Sequence, residues 1–165
     1  MKKYAFFLLL ALVVLAVLPA GAEVRNGNRA NSLGLRFTGG YSTGSLRHNE
    51  GVELSYQRFF SEKTRLEADL GMRIYDYAPE TKKVYMTPLV ATSFQYRWPI
   101  GQTAGFYAGP AIQFGRPFFG LGFGAQSGFD WQFAGPLQLS LDLRTVYSYF
   151  FRLDALLSFG VRCSF

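Results

Sequence analysis

From residue 32 to the end of the chain, apolar and polar side chains alternate with a period of two, and the alternation breaks at short clusters of Gly, Pro, Ser and charged residues. That period is the mark of strands with one apolar and one polar face. It predicts eight strands, at 32-41, 51-60, 65-75, 84-97, 104-115, 120-133, 137-147 and 152-165. Each is long enough to cross a membrane as a tilted strand, which takes about 9–11 residues.

Charge separates the two faces. The more apolar parity gathers Leu33, Leu35 and Phe37; Val52, Leu54 and Tyr56; Leu66, Leu70, Met72 and Ile74; Phe94 and Tyr96; Phe123, Phe129 and Trp131; Leu139, Leu141 and Leu143; and Leu157, Phe159 and Val161. Its only charge is Arg58, close enough to a strand end to snorkel to an interface. The opposite parity carries thirteen charges: Arg36, Glu53, Arg65, Glu67, Asp69, Arg73, Arg97, Asp130, Asp142, Arg144, Arg152, Asp154 and Arg162. Lipid-facing and lumen-facing residues alternate along each strand of a membrane barrel, so the charge-free face belongs in lipid and the charged face inside a closed cylinder. The expected fold is all-β, an eight-stranded antiparallel transmembrane β-barrel in up-and-down order. A soluble sandwich would need a second apolar sheet to cover the outer face. No residues are left over to form one.

Connections of unequal length orient the barrel, because such barrels carry short periplasmic turns and longer outer loops. Segments 61-64, 98-103 and 134-136 read as turns, and 42-50, 76-83, 116-119 and 148-151 as outer loops. Aromatics collect at both rims, as interfacial belts require. Phe60, Tyr96, Trp98, Trp131, Phe133 and Phe165 mark the inner rim, and Tyr41, Tyr75, Tyr77, Tyr85, Phe118, Phe119, Tyr147, Tyr149 and Phe150 the outer.

Ahead of the barrel, Lys2 and Lys3 precede an apolar run from Tyr4 to Leu18, then Pro19-Ala20-Gly21-Ala22. About fifteen apolar residues fall short of the roughly 20 that span a bilayer as a helix, and small residues at Ala20 and Ala22 suit a signal peptidase. The expected organisation is a signal peptide over 1-22, cleaved after Ala22, a flexible polar segment over 23-31, and a barrel domain over 32-165. After residue 22 no stretch reads as a transmembrane helix. The charge after cleavage is +4, since Lys2 and Lys3 depart and all 11 acidic residues remain. No Lys/Arg run or basic helix accompanies that charge, so nucleic acid is not an expected partner. The 17 Phe, 10 Tyr and 18 Gly suit strands joined by tight turns.

The chain closes on Ser158-Phe159-Gly160-Val161-Arg162-Cys163-Ser164-Phe165. The spacing of Ser158, Gly160, Cys163 and Phe165 resembles the terminal signal by which outer-membrane barrels are recognised by the barrel-assembly machinery. With the eight-strand pattern and the aromatic girdles, the region after residue 22 resembles the small OmpA/OmpX-like family of outer-membrane β-barrels. The resemblance implies residence in the outer membrane of a Gram-negative bacterium among its lipids, as a monomer. It does not imply an activity, since members range from non-catalytic barrels to lipid-modifying enzymes.

Residues therefore have to supply the function. Arg36, Glu53, Glu67, Asp69, Arg73, Asp142, Arg144, Asp154 and Arg162 are the candidates for a lumen charge network, because the Arg fork bridges carboxylates and eight strands enclose a space that side chains fill. A polar, water-conducting pore is the alternative arrangement of the same residues. Pro88 and Pro110 cannot donate to a strand ladder. Counted out from a turn near residue 100 they fall roughly opposite each other, which reads either as a bulge near the outer rim or as a seam admitting a lipid tail. His48, the single histidine, falls in the first outer loop with Ser42, Ser45 and Glu50, and Asp76 starts the next; it is either a solvated loop residue or the base of a lipid acyltransferase. Cys163, the one cysteine, excludes an intramolecular disulfide, and no metal-ligand spacing or phosphate-binding glycine loop points to a cofactor. The sequence thus favours a non-enzymatic barrel with a structural or surface-interaction role, meeting extracellular partners through loops 42-50 and 76-83. A small-solute pore and a lipid-acting enzyme remain as alternatives.

Overall fold

The structure, a computed structural model, describes residues 31–43, 47–76, 84–115, 120–148 and 152–165. Eight antiparallel strands run in chain order: β1 (Asn31–Ser42), β2 (Arg47–Phe59), β3 (Thr64–Asp76), β4 (Val84–Ile100), β5 (Ala104–Gly115), β6 (Gly120–Ala134), β7 (Leu137–Ser148) and β8 (Arg152–Ser164). Each pairs with its neighbours, and β8 returns to β1 to close a barrel. The closing seam runs from Ser32 opposite Ser164 to Ser42 opposite Asp154, so no edge strand is left exposed.

All eight strands stand where the alternation places them, with two extensions. β2 starts at Arg47, four residues before 51, because β1 continues to Ser42 and offers the ladder Gly40, Tyr41 and Ser42 as mates for Asn49, His48 and Arg47. β4 runs on through Pro99 to Ile100, with Pro99 opposite Gly105. A proline at a strand end forfeits few ladder bonds. The polar segment expected over 23-31 gives up its last residue, since Asn31 exchanges both backbone hydrogen bonds with Phe165 at 3.1 and 2.8 Å. The signal segment 1-22 and the rest of that polar segment lie outside the described residues.

The turns beside the inner rim are short. Ser61 Oγ accepts from the Lys63 and Thr64 amides at 3.2 and 3.0 Å, a local hydroxyl turn. Gly101 and Gly135 adopt φ of 68° and 51°, values that side chains rarely tolerate. An extra residue between Gln132 and Ala134 bulges the end of β6. The aromatics here touch one another, with Tyr96 and Trp98 rings 4.8 Å apart and Trp98 and Phe106 at 5.6 Å. At the outer rim Tyr41 and Tyr147 face outward; Tyr77, Phe118, Phe119, Tyr149 and Phe150 lie outside the described residues.

The core is inverted relative to a soluble protein. Leu35, Phe123 and Leu141 are 51, 58 and 50% exposed, whereas Arg36, Glu53 and Glu67 are wholly buried. Large apolar side chains exposed all round a barrel over a buried charged interior call for a lipid environment. β2 adds one term to this picture: its early start turns Glu50 outward, so Glu50 and Arg58 bracket the apolar Val52, Leu54 and Tyr56 on that strand.

Backbone closeness at the closing seam requires glycine. A Cβ on Gly34 would run into the Val161 carbonyl oxygen and the Arg162 backbone on β8, whereas one on Gly39 would meet nothing. Gly34→Ala is therefore expected to impair closure of β1 onto β8 and to lower the fraction that migrates as a folded barrel in unheated gel electrophoresis. Gly39→Ala is expected to fold like the parent; equal behaviour of the two variants would contradict this seam.

Candidate functional site

The inward parity brings side chains from β1, β2, β3, β6, β7 and β8 into contact across the lumen. Arg36 lies at the centre. Its guanidinium pairs with Glu67, reaches Asp69 Oδ2 at 3.0 Å and places Nη2 2.8 Å from Asp142 Oδ2. Arg162 holds the other Glu67 oxygen at 3.0 Å. Arg144 pairs with Asp69 and lies 3.3 Å from Glu53, and Arg73 reaches the same Glu53 at 3.3 Å. Gln57 and Gln126 donate their amides to Glu67, so this carboxylate receives two guanidinium and two amide donors. Guanidinium groups serve here because a planar fork of five donors can bridge carboxylates on different strands.

Of the nine residues singled out for the network, eight are joined by ion pairs. Asp154 stands apart from the ion pairs among the described residues, and its Oδ2 accepts from Gln113 at 3.5 Å, which in turn accepts from Arg73 at 3.3 Å.

A second cluster, not foreseen as a unit, fills the inner end of the lumen. Asp130 takes Arg65 at 2.7 Å and Arg97 through Nη2 at 2.8 Å and Nε at 3.0 Å. Arg65 also accepts the face of Tyr107, with Cζ 3.8 Å from the ring centre, an aromatic cation contact in a dry setting. Gly105 leaves the space that the Arg97 guanidinium fills, since a Cβ there would lie 2.6 Å from Arg97 Cζ. Strand parity pointed all three charges inward. Their meeting depends on register, with Arg97 of β4 reaching over Gly105 of β5 to Asp130 of β6, and on the approach of β3 to β6, neither of which short-range alternation encodes.

The proline seam does not form as expected. β4 and β5 pair Ile100 with Ala104 and Leu89 with Gly115, which puts Pro110 level with Phe94 and leaves Pro88 six residues away, beside Met72 of β3. The two prolines are not opposite each other, because β4 continues through Pro99 and moves the turn's centre to Gln102. Pro110 does interrupt its own ladder. The registered pairs pass from Ser93 and Ala111 to Tyr96 and Ala108, and this skip lies mid-strand, not near the outer rim.

His48 is also relocated. It sits on β2 opposite Tyr41, side chain outward, with the two rings edge to face at 5.7 Å. Ser42 is buried on the inward face of β1, so the histidine and that hydroxyl are on opposite sides of the wall. Glu50 shares the outward face with His48; Ser45 and the Asp76 side chain lie outside the described residues. Among the described residues no cluster of His, Cys, Asp and Glu could hold a metal ion.

Ser158 and Gly160 of the terminal signal face the lumen, and Cys163 and Phe165 face out. Gly160 has a structural role as well, since a Cβ there would sit 2.8 Å from Arg36 Cγ.

A closed eight-strand wall with an apolar exterior and an ion-paired interior defines a small transmembrane β-barrel of the outer-membrane kind. Solved structures agree on the fold. The chain is similar to Neisserial surface protein A, with 16% identity, a TM-score of 0.64 and coverage of 82% of this chain and 96% of that one. It is similar to a de novo designed transmembrane β-barrel, with 12% identity, a TM-score of 0.55 and coverage of 84% and 98%. It is also similar to Ail, the attachment invasion locus protein of Yersinia pestis, with 11% identity, a TM-score of 0.50 and coverage of 82% and 96%. No family model matches the sequence, and no curated protein matches it. A designed barrel ranks with natural ones, so the likeness reports architecture and carries no activity.

Proposed function

We propose that the protein is a non-enzymatic barrel of the Gram-negative outer membrane whose lumen is sealed by charge pairs and whose role is structural or surface-interacting. The supporting observation is the network centred on Arg36 and Glu67, which ties together side chains from six strands across the lumen, β7 through Asp142. The cluster around Asp130 lies in series with it. Export would use the signal peptide ending at Ala22, and insertion by the barrel-assembly machinery would use the signal carried by Ser158, Gly160, Cys163 and Phe165. Contact with an extracellular partner would fall to the loops around 43–46 and 77–83. These are narrower than the 42-50 and 76-83 read from sequence, because Ser42 belongs to β1, Arg47–Glu50 to β2 and Asp76 to β3.

Planar-bilayer recording tests the seal. The unaltered protein is expected to show no stable open step, and steady ohmic steps would favour the small-solute pore. Glu67→Ala or Asp69→Ala is expected to raise leak, and Glu67→Ala combined with Asp130→Ala to raise it further, since the second removes the cluster in series. A lipid-acting enzyme would instead show as an altered acyl pattern in envelope lipids that depends on His48.

A further inference from the structure

Among the described residues, the outward face of the strands carries charged side chains at two places, both on β2. Glu50 lies toward the outer rim and Arg58 toward the inner, separated by roughly 26 Å along an extended strand.

Arg58 belongs to a polar cluster on the lipid-facing wall. Asn31 stands across the ladder from it, in the same outward parity as Leu33, yet is only 8% exposed. Asn31 Oδ1 accepts from the Tyr56 hydroxyl at 2.8 Å, which fixes the amide and leaves its Nδ2 end as the donor side. The Arg58 guanidinium carbon lies 5.8 Å from the Phe60 ring centre, and Phe60 stacks on Phe94 at 6.4 Å. A ring face of this kind holds a cation at the rim. The planar fork has five donors, more than one partner takes up. Arg58's ladder mates, Asn31 and Leu66, and its outward neighbours along β2, Tyr56 and Phe60, include no carboxylate.

Donors facing outward at the depth of the aromatic belt match the oxygens of a phosphodiester. Toward the midplane the wall beside them is aliphatic, with Leu33, Leu35 and Leu54 exposed for acyl chains to lie against. A zwitterionic headgroup brings its own cation toward the fork, whereas an anionic one brings none. At the far end of β2 the Glu50 carboxylate repels the same headgroup, so the wall distinguishes one leaflet from the other.

We propose that Arg58, with Asn31 and the Tyr56 hydroxyl that orients it, forms a site for an anionic glycerophospholipid in the leaflet facing the periplasm. The proposal rests on the reading of the outer wall as lipid-facing, and adds a lipid class and a place.

Native mass spectrometry tests it on the full chain, released from nanodiscs that hold equal amounts of phosphatidylglycerol and phosphatidylcholine. Folding of every variant is checked by unheated gel migration. The unaltered protein is expected to retain phosphatidylglycerol with a preference of about 10-fold, the scale of one charge-assisted hydrogen bond. Arg58→Gln is expected to abolish the preference, and Arg58→Lys, which keeps the charge without the fork, to leave part of it. Lys63→Gln removes a cation from the exposed turn on the same rim and is expected to leave the preference intact. Equal losses in Arg58→Gln and Lys63→Gln would mean diffuse attraction by net charge, overturning the site and leaving the lipid-facing wall standing. Equal retention of the two lipids by the unaltered protein would do the same. Retention of neither lipid would count against the lipid-facing wall itself, and the site would fall with it.

Discussion

Glu67→Ala is expected to destabilise the folded barrel by about 3–5 kcal/mol, the cost of leaving buried charges without their partner. Glu67 is the acceptor that Arg36 and Arg162 share and to which Gln57 and Gln126 also donate. Its removal takes from buried Arg162 its nearer carboxylate, leaving Asp142 at 3.9 Å, and from buried Arg36 one of three carboxylates. Glu67→Gln keeps the shape and an acceptor oxygen, so it is expected to fall between the parent and the alanine variant. Asp154→Asn, at a carboxylate outside the ion pairs, is expected to cost about 0.5–1.5 kcal/mol, the scale of one ordinary hydrogen bond. Urea unfolding in lipid vesicles, followed by tryptophan fluorescence, gives all three values. A Glu67→Ala variant no weaker than Asp154→Asn would mean that the network does not hold the barrel together.

The second large effect is expected on the opposite face. Leu141 is half exposed and lies between Phe129 of β6 and Phe159 of β8, in the middle of the apolar band. Leu141→Arg puts a guanidinium near the bilayer midplane, at a cost of about 2–4 kcal/mol. The natural outward arginine, Arg58, lies at the strand end with its guanidinium carbon 5.8 Å from the Phe60 ring centre. There a charge costs about 0–1 kcal/mol, so Arg58→Leu is expected to change stability little. The same urea titration compares the two. Equal effects would remove the lipid band from the account.

These two faces were legible in the sequence because the side-chain period of a strand is two and charge is so costly in lipid. Arg36 between Leu35 and Phe37, or Asp142 between Leu141 and Leu143, declares both faces without any knowledge of register. Register was the harder part. The mate of Pro88 depends on where the β4 turn is centred, and each residue of error moves the mate by two; a centre at Gln102 separates the prolines that a turn near 100 had joined. The start of β2 was hidden because Arg47-His48-Asn49-Glu50 is as polar as a loop, and what makes it strand is the partner β1 supplies. The meeting of Arg65, Arg97 and Asp130 was out of reach for a third reason, being a contact between strands that share no ladder.

The central claim, lipid outside and a filled lumen within, is tested most directly by nitroxide accessibility at outward mid-strand sites. Spin labels at positions 35, 54 and 141, in protein reconstituted into a bilayer, report collisions with apolar oxygen and with a water-soluble nickel chelate. The account predicts high oxygen and low nickel accessibility at all three, with nickel accessibility rising for labels moved toward position 58. Nickel accessibility at 35, 54 and 141 equal to that of a label at the exposed turn residue Glu62 would place the apolar face in water and contradict the account.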